Sequence, residues 1–181
     1  MKNLLTATLA AVLLSACTPP QQRAYVPPAP PPAPEIPRVP FSEAEHNALK
    51  KTGTGGLTGQ AFLRTEGGDV KTAAGSTVYI EPATSVTKQR FEVTCKGRKA
   101  LAGKQDPRAD KFIRETIADA EGKFKFNDLP PGAYYLITHV RWSAPTRYGL
   151  SPQGGWLMKR VDIENKKTAE VLMIEADRCA Y

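Results

Sequence analysis

Histidine is scarce in this chain: His46 and His139 are the only two in 181 residues. Neither stands in a recognisable nucleophile motif. There is no His-Glu-x-x-His, Gly-x-Ser-x-Gly, phosphate-binding glycine loop or Cys-x-x-Cys in the sequence. The usual zinc-peptidase, serine-hydrolase, nucleotide-binding and dithiol signatures are therefore missing. Long apolar runs are lacking too. The longest, Leu4 to Leu14, is interrupted by Thr6 and Thr8 and falls short of the roughly 20 residues that span a hydrocarbon core. Runs of one charge are also absent, although the formal net charge is +7. The densest basic group is Lys96, Arg98 and Lys99, with no aromatic residues interleaved, so nucleic-acid binding is not supported. A moderately basic chain suits anionic lipid, lipopolysaccharide or other polyanions instead. No strand–helix alternation and no internal repeat is visible, which disfavours doubly wound and solenoid folds.

What is present begins at the N-terminus. Met1 and Lys2 precede the short apolar run, which ends in Leu14-Ser15-Ala16-Cys17. Its length suits the central region of an export signal. The ending resembles the lipobox of bacterial lipoproteins: an aliphatic residue, two small ones, then the modified cysteine. That resemblance implies cleavage before Cys17, with 1–16 as signal peptide, and acyl chains on Cys17. Two or three chains anchor durably, because each buried methylene contributes about 0.8 kcal/mol. Thr18 follows instead of Asp, and by the same resemblance the expected location is the outer membrane, facing the periplasm.

Cys95 and Cys179 remain once Cys17 is acylated. An even pair in an exported chain points to a disulfide, the alternative being two buried free thiols. Residues 17–41 carry the lipidated cysteine and most of the chain's 16 prolines. They are expected to form a disordered, polyproline-II-rich tether reaching roughly 70 Å at about 3.1 Å per residue. A spacer is the favoured role, and a ligand for a proline-binding module is the alternative.

Ser42-Glu43-Ala44-Glu45 reads as a capping box opening a short helix, so 42–56 is assigned as helix and linker. His46 is expected to be exposed on it. From Leu57 the pattern is strands. They are expected at Leu57–Thr65, Ser76–Pro82, Lys111–Asp119, Lys123–Phe126, Ala133–Trp142, Trp156–Ile163 and Thr168–Ala176, the last two forming a hairpin. Val78 and Ile80 share one face of their strand, Thr77 and Tyr79 the other. Phe112 and Ile117 are expected in the core. Thr84–Lys96 reads either as a helix opened near Ser85 or as a strand, with the helix favoured. Ser143–Gly155 reads as a loop. Residues 57–181 are therefore expected to fold as an all-β, seven-stranded antiparallel, Ig-like sandwich with one or two short helices.

Residues Ala118 to Leu136 contain Asp119-Ala120-Glu121-Gly122, then Phe124-Lys125-Phe126, then Leu129-Pro130-Pro131-Gly132-Ala133-Tyr134. This succession resembles carboxypeptidase regulatory-like domains, which are prealbumin-like (transthyretin-like) β-sandwiches. Gly59-Gln60-Ala61-Phe62-Leu63 fits their opening strand loosely. The resemblance covers about residues 57 to 176, and the segment between the second strand and Lys111 is longer than in minimal members. These motifs specify turns and core positions and carry no chemistry. The family name does not imply peptidase activity.

The sequence assigns no catalytic residue, cofactor or metal ligand, and the chain is expected not to be an enzyme. Glu115 and Asp119, four apart on one expected strand, would lie about 13 Å apart, too far for a glycosidase pair. Trp142, Arg147, Tyr148 and Trp156 flank or lie in the expected loop and form the candidate site for a partner side chain or a glycan. The expected function is a membrane-anchored periplasmic lipoprotein whose sandwich binds or scaffolds envelope proteins. The alternative is a carbohydrate or cell-wall binding module.

Overall fold

The computed structural model describes residues 35–179. The expected signal peptide, Cys17 and the tether up to residue 34 lie outside the described residues. The elements in chain order are α1 (Glu43–Asn47), β1 (Gly55–Arg64), β2 (Val70–Thr72), β3 (Thr77–Pro82), α2 (Ser85–Gln89), β4 (Arg114–Ile117), β5 (Lys123–Leu129), β6 (Gly132–Thr146), β7 (Gly149–Ile163) and β8 (Thr168–Met173). α2 continues as a wider π-helical segment over Arg90–Lys96, and a 3-10 turn spans Pro107–Phe112.

The strands form two facing sheets. In the first, β1 pairs antiparallel with β5 and β2, and parallel with β8. The second runs β4-β3-β6-β7, antiparallel throughout. Alternate residues point between the sheets: Leu57, Ala61 and Leu63 of β1, Val78 and Ile80 of β3, Phe124 and Phe126 of β5, Leu136 and Val140 of β6, and Val171 and Met173 of β8. Each buried Leu, Ile or Phe there contributes about 1.5–3 kcal/mol.

The motif residues act mechanically, as expected. The Asp119 carboxylate accepts from the Glu121 and Lys123 amides at 2.9 and 2.8 Å, and Gly122 supplies a φ of 75°. The Tyr134 hydroxyl donates to the Pro130 carbonyl at 2.9 Å, tying the start of β6 to the reversal before it.

The sandwich is as expected, with differences in detail. It has eight strands among the described residues, because β2 is too short to show alternation. Thr168–Met173 does not form a hairpin with β7. Residues 164–167 cross between the sheets, and β8 runs parallel to β1. The crossing is held by the β1 lead-in: the Lys166 amide donates to Thr54 Oγ1 at 3.1 Å and the Gly56 amide to the Lys167 carbonyl at 2.8 Å. This placement puts Val171 and Met173 in the core. Thr84, not Ser85, caps α2, and the Glu45 carboxylate accepts from the Ser85 amide and hydroxyl at 2.8 and 2.7 Å. The expected loop Ser143–Gly155 is instead a β-ribbon: β6 and β7 stay in register to Thr146↔Gly149. Its prolines gave a false breaker signal, since a two-stranded ribbon accommodates them away from ladder donors.

Four further expectations fail. His46 is buried, stacked on Phe41 with ring centres 4.1 Å apart and beside Phe112 at 4.8 Å. Phe112 thus serves this side cluster, outside the sandwich core. Ile117 is 70 % exposed at the end of an edge strand. Residues 35–41, expected to close the free tether, are laid along the insert that follows β3. The Ile36 amide donates to the Ala100 carbonyl at 2.9 Å, the Ala102 amide donates to the Ile36 carbonyl at 2.8 Å, and Gln89 bonds Val39 and Pro37.

Candidate functional site

The outer face of the β4-β3-β6-β7 sheet carries the side chains that alternation leaves out of the core. The register aligns them in rows. Glu81, Tyr135 and Arg160 form one, Tyr79, Ile137 and Met158 the next, and His139 and Trp156 the third. The segment from α2 to Lys96 covers the first row, with Phe91 against Tyr135 at 4.8 Å. Cys95 and Cys179 are joined as a disulfide, so the expected pairing is correct. They bury a small cluster with Tyr135 and Met158 and close one side of a hollow.

That hollow has a volume of about 300 Å³ and is lined by Tyr79, Glu81, Arg90, Ile137, Trp156, Met158 and the disulfide, among others. Tyr79 and Trp156 also wall a second hollow of about 500 Å³, which adds Ser76, Thr77, His139 and Arg141. Together they make a groove across the sheet with aromatic sides and polar ends. Trp156 is 37 % exposed, and its indole stacks on the His139 ring with centres 4.8 Å apart and planes 30° apart.

The polar groups are placed by packing. Glu81 is buried and paired with the Arg90 guanidinium, which also donates to Gln105 at 3.2 Å. Burial pushes the Glu81 carboxyl up and Arg90 pulls it down, leaving it above the ordinary carboxylate value. Burial, then the charge of Arg141, holds His139 below the ordinary imidazole value, so the ring is neutral at neutral pH. No group of three or more His, Cys, Asp or Glu side chains suited to a metal occurs among the described residues.

The residues nominated from sequence do not converge. Trp142 and Trp156 sit an odd number of register steps apart, Trp142 opposite Gln153 and Trp156 opposite His139, so they lie on opposite faces. Trp142 packs against the end of the sandwich core. Arg147 and Tyr148 are the turn residues at the ribbon tip, with the guanidinium 4.7 Å from the phenol ring centre. Only Trp156 belongs to the groove. Tyr79, Glu81, Arg90, His139 and Arg141 were missed. A signal for them existed: the non-core faces of β3 and β6 read Thr77-Tyr79-Glu81 and Tyr135-Ile137-His139-Arg141, unusually aromatic for a solvated face.

Among solved structures, the chain is similar to a candidate carbohydrate binding protein from Pseudomonas aeruginosa, at 27 % identity and a TM-score of 0.66, covering 75 % of this chain and 97 % of that one. A minor pilin of Streptococcus agalactiae is more distant, at 16 % identity and a TM-score of 0.34, covering 68 % of this chain and 44 % of that one. No family model and no curated protein matches.

Proposed function

We propose that this chain is a non-catalytic carbohydrate-binding module, anchored through acyl chains on Cys17 at the outer membrane and facing the periplasm. The observation that carries the reading is the groove whose two hollows share Tyr79 and Trp156 as walls. Sugar rings present weakly polar C–H faces that pack on aromatic rings, while their hydroxyls need donors and acceptors at the edges. Tyr79 and Trp156 offer the first. His139 and Arg141 offer the second. The similarity to the candidate carbohydrate binding protein of Pseudomonas aeruginosa supports the same reading. The turn, Phe-x-Phe and Leu-Pro-Pro-Gly-x-Tyr elements, each placed as a structural device, support membership of the carboxypeptidase regulatory-like, prealbumin-like group.

The test is binding of the full chain to envelope polysaccharides and peptidoglycan sacculi. Trp156→Ala is expected to weaken glycan binding about tenfold, the loss of one stacking contact of about 1.4 kcal/mol, with Tyr148→Ala unaffected. Equal binding by Trp156→Ala and the parent chain contradicts the reading.

One observation favours a protein partner as well: Tyr148 and Leu150 are 84 % and 75 % exposed at the ribbon tip. Under that reading, Arg147→Ala with Tyr148→Ala abolishes capture of an envelope protein, with glycan binding and melting temperature unchanged. Unchanged capture removes it.

A further inference from the structure

A second cavity lies away from the groove, between the end of α1 and the Leu129–Ala133 reversal, with a volume of about 570 Å³. Four cations line it: Lys50, Lys51, Lys111 and Arg114. No Asp or Glu does. None of the four takes part in an ion pair among the described residues, although nine such pairs occur elsewhere. Arg114 is fixed in orientation, donating to the Asn127 and Asp128 carbonyls at 2.8 and 3.1 Å. His46, which also lines the cavity beside Asn47 and Tyr134, is 3 % exposed. Its Nδ1 lies 2.7 Å from the Ser42 carbonyl. A carbonyl only accepts, so Nδ1 carries the proton and Nε2 is the ring's remaining polar atom. The floor is apolar, with Ile80 and Leu129 fully buried beneath it.

We propose that this cavity binds a phosphoryl group carried on a larger molecule. Four unpaired cations with no carboxylate among them form a site of one sign, which attracts an anion from solution. A doubly charged phosphoryl group balances them better than a carboxylate and takes charge-assisted hydrogen bonds from the lysine ammonium groups. The volume falls in the range that holds a small molecule and exceeds what a bare anion fills. The apolar floor accommodates the body of the ligand. Phosphorylated sugars and phospholipid headgroups share this chemistry, and experiment separates the two sources.

The test titrates the full chain with inorganic phosphate and with a hexose 1-phosphate, following backbone amide shifts. Saturable shifts centred on His46, Lys50, Lys51, Lys111 and Arg114 are expected. Tighter binding of the hexose phosphate assigns the site to phosphorylated glycan. For the lipid source, the full chain carrying Cys17→Ser is mixed with phosphatidylcholine vesicles with and without phosphatidic acid, and binding that requires phosphatidic acid assigns the site to lipid. Lys50→Glu with Lys111→Glu alters only exposed side chains. It should lower phosphate affinity at least about tenfold and leave both the melting temperature and neutral-glycan binding at Trp156 unchanged. That last readout separates this site from the groove. Absence of saturation by phosphate, hexose phosphate and vesicles, or unchanged affinity in the double variant, overturns the proposal.

Discussion

At the scale of single residues, Glu81 and Arg90 set the character of the groove. Glu81 is almost wholly inaccessible, and among the described residues Arg90 alone pairs with its charge. Arg90→Met should therefore destabilise the fold by about 2–4 kcal/mol at neutral pH in chemical denaturation, toward the low side because Arg90 itself is partly exposed. The pH dependence follows from the raised carboxyl. A group whose folded pKa exceeds its unfolded value favours folding fully below the unfolded value, and that contribution is lost as pH rises through the folded one. The deficit of Arg90→Met should accordingly shrink as pH falls from neutral toward the ordinary carboxylate range. A deficit independent of pH would mean that lost packing outweighs the stranded charge.

His139 titrates in the opposite sense. Its folded pKa is lowered, so its contribution is present above the unfolded value and is lost as pH falls through the folded one. His139→Phe keeps a ring against Trp156 and should flatten the stability profile just below pH 6.5, measured as melting temperature against pH. This residue was within reach of sequence reasoning: alternation along β6 puts His139 on one face with Tyr135, Ile137 and Arg141, a face that by itself reads as surface. The face becomes a site only through its pairing with Trp156, a register that no local pattern specifies.

At the scale of elements, the disulfide joins the segment that closes the groove to the end of the chain. Cys95 and Cys179 are 84 residues apart, a loop for which chain entropy gives about 4 kcal/mol of stabilisation. Cys95→Ser with Cys179→Ser should cost about 2–4 kcal/mol. It should raise hydrogen exchange over Arg90–Lys96 more than in β1 or β6, because one end of that segment loses its fixed point. Uniform exchange across the domain would show that the bond acts on the unfolded chain alone.

The turn at Gly122 is a second element-level test. A Cβ there meets the Ala61 carbonyl at 2.6 Å, on a backbone with φ of 75°. Gly122→Ala should destabilise by more than about 1 kcal/mol, and a neutral effect would contradict the close approach. Elements of this kind were legible because their determinants are local. Asp119, Gly122 and the Pro130–Tyr134 corner each bond within a few residues. The parallel docking of β8 was illegible for the converse reason: it depends on which distant edge is free to pair, and the Glu164–Lys167 turn pointed locally to a hairpin. The ribbon of β6 and β7 is itself local, closed at Arg147 and Tyr148, and was hidden because Pro145 and Pro152 pointed to a loop.

At the scale of the whole molecule, two surfaces with different chemistry occupy separate parts of one sandwich: an aromatic groove on the outer sheet face and a cationic cavity beside α1. A lipid anchor at Cys17 would present both to the envelope. Cys17→Ser should shift the chain from the membrane fraction to the soluble fraction, and incorporation of labelled palmitate into the parent chain should disappear. Retention of the variant on membranes would mean that the cationic surface or another contact suffices.

The claim that glycan lies along Tyr79, His139 and Trp156 is tested most directly by mapping backbone amide shifts while soluble envelope oligosaccharide is added to the full chain. The account predicts saturable shifts at Tyr79, Ile137, His139 and Trp156, with the signals of Trp142 and Tyr148 unmoved. Shifts centred on the ribbon tip at Arg147 and Tyr148, or no saturable shift at all, would contradict it.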